Sequence, residues 1–141
     1  PEKAFDSITS FETLSFGTVN TNYTVSGTKT INLSNKVQSA GISTVDVSEA
    51  RGGGSDVLEV NAFMFTSSTN MTFIGSNDKD VNVNFTGGSG DDTLTTGKIT
   101  EDDSDTLTGG PGIDTFNIIE DLISWMFFDY LRDLKIAVLG K

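Results

Sequence analysis

The chain contains neither cysteine nor histidine. Without thiols it can carry no disulfide framework and no thiolate metal site. Without imidazole it lacks the usual general base and the Ser-His-Asp and Cys-His arrangements. No nucleophile–base pair and no H-E-x-x-H sequence is present, so no catalytic residue is expected and the chain does not read as an enzyme. Any metal must be held by oxygen, which points to Ca²⁺ or Mg²⁺. Basic residues are also scarce. Nine Lys and Arg face 20 Asp and Glu, giving a formal net charge of −11 over 141 residues. Such a surface cannot neutralise phosphates, so nucleic acid and anionic membrane surfaces are not expected partners. No apolar run reaches the ~18 residues that would span a bilayer. The chain opens at Pro1 with no basic-then-apolar leader, as expected of a fragment or a processed piece.

Glycine, threonine and serine are abundant, with 15 glycines against two prolines. That composition favours short strands joined by many turns. Period-two alternation appears at Thr30–Leu33, Thr44–Val47, Val57–Val60, Met71–Ile74 and Val81–Phe85. Each run buries one face and shows polar residues on the other. The runs recur at intervals of roughly 9–14 residues, which is a sandwich, barrel or stacked-repeat signal. Phe63, Phe65, Phe73 and Phe85 are expected in the core.

A repeat decides among these architectures. "GGSGDDTLT" at 87–95 and "GGPGIDTFN" at 109–117 both fit G-G-x-G-x-D-x-U-x, where U is a large apolar residue. "RGGGSDVLE" at 51–59 fits a third time, and "TEDDSDTLT" at 100–108 keeps only Asp105 and Leu107 of the frame. The two full copies start 22 residues apart, two nine-residue units plus four, and Thr96–Ile99 read as the insertion. Glycines at the first, second and fourth positions permit a tight turn with carbonyls aimed inward. The sixth-position aspartate adds a carboxylate, and the apolar eighth position anchors the following strand in the core. Hard oxygen ligands at this density suit Ca²⁺. Seven carboxylates stand between Asp91 and Asp114 against Lys98 alone. A bound cation would offset their repulsion and couple to folding.

These nonapeptides resemble the RTX, or haemolysin-type calcium-binding, repeat, most closely over 87–117. The resemblance implies an all-β fold, a parallel β-roll or β-solenoid of stacked short strands. It also implies one Ca²⁺ between turns 87–92 and 109–114. Its ligands would be the carboxylates of Asp92 and Asp114 and the carbonyls of Gly88, Gly90, Gly110 and Gly112, with Asp91 a bystander. Asp105 would lie on the opposite side and need a partner turn, for which Asp78 and Asp80 are candidates. Asp56 has no intact neighbouring repeat, and no metal is expected there. The upstream half is similar in texture to bacterial surface-layer proteins and large RTX adhesins.

Residues 1–117 are therefore expected to form the solenoid. From Ile118 to Lys141 the apolar residues fall at helical spacing, with Glu120 and Asp121 near the start. This segment is expected to be a short C-terminal helical cap, a secretion-signal-like tail of the type I pathway, or an oligomer contact. The implied function is that of a secreted bacterial cell-surface module, structural or adhesive, that folds on binding Ca²⁺ and self-assembles into a layer or filament. The alternative is the non-catalytic C-terminal RTX domain of a secreted protease or lipase.

Overall fold

The structure, a computed structural model, describes residues 9–16, 23–65, 68–99 and 104–120. Eleven strands and one short helix occur among them: β1 (Thr13–Ser15), β2 (Tyr23–Thr24), β3 (Thr28–Asn32), α1 (Asn35–Ser39), β4 (Thr44–Asp46), β5 (Ala50–Arg51), β6 (Asp56–Asn61), β7 (Thr72–Ile74), β8 (Val81–Thr86), β9 (Thr93–Ile99), β10 (Thr106–Thr108) and β11 (Thr115–Glu120). Every pairing is parallel. One sheet runs β1-β4-β7-β9-β11, a second β10-β8-β6-β3, and a third is the pair β2-β5. The chain alternates between the two large sheets and advances one rung per coil. This is a parallel β-solenoid.

Alternation explains why the sheets enclose a core. Val45, Phe73, Leu94 and Leu58, Val83, Leu107 point inward from the two sheets and are at most 1 % exposed. Phe73 and Phe85 stack across the interior with ring centroids 5.1 Å apart, a contact that adds to their area burial. Phe65 is buried as expected, but Phe63 is 60 % exposed. The correction follows from phase. β6 ends at Asn61, and Ala62 takes the inward position with Phe63 and Met64 on the outside of the turn.

Three further features differ from the sequence reading. Thr96–Ile99 do not loop out; they prolong β9, and Thr96 and Gly97 are buried. Ile118–Glu120 continue β11, so the strand runs past the boundary placed at 118. The helical segment expected beyond Glu120 lies outside the described residues. Helix α1 has a single buried anchor, Val37, and begins where the Ser34 side chain accepts from the Lys36 N–H. It closes a turn between the two sheets at the long-coil end of the solenoid. Core partners Leu14, Val45, Phe73, Leu94 and Phe116 lie 31, 28, 21 and 22 residues apart along the chain. The coils shorten to 21 and 22 residues where the full glycine-rich repeats begin.

Candidate functional site

The structure places turn 109–114 directly on turn 87–92, one coil apart on the same side. A Cβ on Gly110 would collide with the Gly88 carbonyl oxygen, and one on Gly112 with that of Gly90. Both residues also have positive φ, 101° and 150°. Only glycine meets both requirements, which is why the repeat spends glycines here. The carbonyls of Gly88 and Gly90 thus face the next turn along the stacking axis.

The aspartates do something the sequence did not show. Asp92 is 1 % exposed. Its Oδ1 accepts from the Met71 N–H of the preceding coil at 2.8 Å, and its Oδ2 accepts from Gly88 N–H of its own turn at 2.9 Å. Asp105 repeats this on the opposite side, with Val83 N–H at 2.8 Å and Gly97 N–H at 3.0 Å. Asp56 repeats it again with Gly27 and Gly53 N–H at 2.7 and 2.6 Å. Asp114 Oδ1 accepts from Asp92 N–H at 3.0 Å. Sixth-position carboxylates therefore staple each coil to the one before it.

A reciprocal bond completes the staple. The fifth position of the earlier coil carries Asn or Asp, whose Oδ1 accepts from the fifth-position N–H of the next coil. Asn70 accepts from Asp91 at 3.1 Å, Asp91 from Ile113 at 2.8 Å, and Asn82 from Ser104 at 3.0 Å. Asp91, expected to stand aside from the metal, is a coil-to-coil bridge. Sequence reasoning missed Asn70 and Asn82 altogether, because they sit in segments without the glycine pattern. Asp78 Oδ2 accepts from Gly52 N–H of the preceding coil at 3.3 Å, and its Oδ1 from Asp80 N–H at 3.2 Å.

Burial raises the pKa of the Asp92 carboxyl. The two N–H bonds oppose that rise, and the charges of Asp114 and Asp91 add to it. Burial likewise raises Asp105 against its two N–H bonds. The exposed Asp56 is lowered by its bonds from Gly53 and Gly27. The two buried groups hold a proton more readily when folded than unfolded. Their contribution is fully present below the unfolded pKa and is lost as pH rises through the folded one. In chelator, acidification from about pH 7 toward pH 4–5 is therefore expected to raise the melting temperature or the β signal. Circular dichroism across that series checks it, and a fall on acidification would contradict it.

Among the described residues no three carboxylates converge on a point that could hold a metal ion. A cation between turns 87–92 and 109–114 would need backbone carbonyls to complete its shell. The donor set there fits that demand: two facing turns rich in carbonyls, and the two carboxylates of Asp92 and Asp114 close enough to repel. An ionised carboxylate has about four acceptor sites, so one N–H bond to each oxygen leaves sites for a cation.

The fold and these turns define the chain as a parallel β-solenoid whose coils are joined by glycine–aspartate turns. Comparison with family models, with curated proteins and with solved structures gives no match.

Proposed function

We propose that this solenoid is an extracellular structural or adhesive segment of the RTX type, exported by a bacterium and completed by calcium. The observation that carries the reading is the in-register stacking of two full nonapeptide turns, 87–92 and 109–114. Asp92, Asp114 and the carbonyls of Gly88, Gly90, Gly110 and Gly112 would hold the ion, and Asp105 marks the weaker opposite side. Calcium supplies positive charge where Asp91, Asp92 and Asp114 crowd together. In a compartment poor in calcium, the self-repulsion of a chain with net charge −11 keeps it open. At the weak extracellular affinities of about 10⁻⁴–10⁻³ M, it closes where calcium is plentiful. The sequence contains no H-E-x-x-H and no histidine base, and on this reading its work is to extend, space and adhere. Self-association into a layer or fibre belongs to the same reading.

Calcium titration by calorimetry, with circular dichroism and sedimentation on the same samples, tests this. Wild type is expected to bind and gain β signal, and Asp114→Asn to bind at least several-fold more weakly. No heat of binding, together with a melting temperature untouched by chelator, would remove calcium from the account.

A further inference from the structure

The outward face of the five-stranded sheet carries a pattern that the turns do not explain. Thr13, Thr44, Thr72, Thr93 and Thr115 are direct register partners, one on each strand. Their neighbours Leu14, Val45, Phe73, Leu94 and Phe116 belong to or pack against the core. Alternation therefore turns all five threonines outward. Thr13 and Thr115 are exposed and the inner three half-exposed. Parallel rungs repeat at about 4.7–4.9 Å, so the column spans about 19 Å. β-branching leaves each side chain few χ1 choices, so methyls and hydroxyls repeat in a restricted geometry. The one register slip between β9 and β11 falls beyond the column, between Asn117 and Ile119.

A general preference for threonine in strands does not account for it. That preference acts on both sheets. Yet on the four-stranded sheet the column Thr30, Glu59, Asn84, Thr106 is mixed and charged, and its neighbour Asn32, Asn61, Thr86, Thr108 is uncharged but only half threonine. The five-rung column is uncharged on a chain of net charge −11, which suits a neutral partner. The adjoining column is Ser15, Asp46, Ile74, Thr95 and Asn117, and Asp46 folds back to accept from the Ser48 N–H at 2.9 Å. Neither column holds an aromatic ring on which a sugar could stack.

We propose that this threonine rank is an ice-binding face. Its rung spacing lies near the shortest lattice repeat of hexagonal ice. The hydroxyls would bond to surface water, and the methyls would order water between the ranks. This does not rest on the calcium reading, because no proposed metal ligand lies in the column.

The test is ice recrystallisation inhibition and thermal hysteresis of the whole chain in saturating calcium. Wild type is expected to act above an inert protein at equal concentration. Thr72→Tyr/Thr93→Tyr is expected to fall to that baseline, while Thr106→Tyr on the other sheet keeps full activity. Circular dichroism verifies folding. Should the double variant unfold, Thr115→Tyr at the exposed edge strand replaces it, with an expected loss of several-fold. The proposal is overturned by a wild type no better than the inert protein. It is equally overturned by tyrosine variants that keep full activity, by equal loss in Thr106→Tyr, or by binding to insoluble polysaccharide without binding to ice.

Discussion

Asp92→Ala is expected to destabilise the solenoid by about 3–5 kcal/mol, because it strips two buried N–H groups of their acceptor at once. Met71 N–H belongs to the preceding coil and Gly88 N–H to the turn itself. Water cannot replace the carboxylate easily, since Asp92 is only 1 % exposed. Each unmade bond in such a place costs about 1–3 kcal/mol. Relief of the repulsion from Asp114 and Asp91 offsets a part of that. Asp92→Asn keeps one acceptor but turns an NH₂ toward the other N–H, so about half the loss is expected. Asp56→Ala removes the same pair of bonds at an exposed level, and solvent there takes over the donors, so its effect is smaller. Urea unfolding with and without chelator measures all three. A loss for Asp92→Ala seen only with calcium would assign the residue to the metal alone. A loss that persists in chelator identifies the staple.

The staple role of the aspartate is compatible with the proposed metal role, and this bears on how calcium would act. The N–H bonds fix the position of each carboxylate before any ion arrives. A cation meeting a preplaced carboxylate loses less to reorganisation than one that must gather ligands from a mobile loop. Burial, with the charges of Asp114 and Asp91 adding to it, makes Asp92 hard to ionise, and a proton or a cation relieves that cost. Acid and calcium should therefore push stability in the same direction, and the pH series reads the first while the titration reads the second.

Much of this architecture was legible because it is written locally. Val81-Asn82-Val83-Asn84-Phe85 alternates, and it forms β8 in the expected phase. The paired nonapeptides gave the stacked turns because their glycines are required by close approach between coils. The staple was only half legible. Asp92 was visible as a sixth-position acid, but its partner Met71, and Asn70 that pairs with Asp91, lie one coil back in a segment with no glycine frame. A signal did exist there. The dipeptide Thr-apolar recurs at 13–14, 44–45, 72–73, 93–94 and 115–116, and each copy opens one rung of the five-stranded sheet. Its spacing is irregular because the early coils carry longer turns, one of them holding α1. A search for a fixed period cannot see it. Ile118–Glu120 misled for another reason: three apolar or acidic residues at a strand end also satisfy the first turn of a helical pattern, and pairing with β9 decides the matter.

The fourth-position glycines should separate a global from a local role for the turns. Gly90 is buried in the middle of the stack, and a Cβ on it would meet the Thr69 carbonyl and the Asn70 N of the coil before. Coils press on it from both sides, so the turn cannot swing away. Gly90→Ala is therefore expected to cost about 3–5 kcal/mol, from overpacking against backbone and the staple bonds of Asp91 and Asp92 that a displaced turn would break. Gly112 occupies the same position in the next copy. Its Cβ would meet the Gly90 carbonyl, and its φ of 150° is itself costly for alanine. However, among the described residues β11 is the last rung of its sheet. The strain in Gly112→Ala can be released by lifting that rung alone. Hydrogen exchange distinguishes the two. Gly90→Ala should lower protection in β7, β8, β9 and β11 together, whereas Gly112→Ala should lower it at Thr115–Glu120 and leave β7 and β8 near wild type. Gly27→Ala is the reference, with φ of 66° and nothing within 4 Å of the added Cβ. It should cost only the conformational penalty of about 1 kcal/mol. If Gly90→Ala costs no more than Gly27→Ala, the coils are not held at the contact distance that the staple requires. The proposed calcium site, which needs the same two turns face to face, would then lose its geometric basis as well.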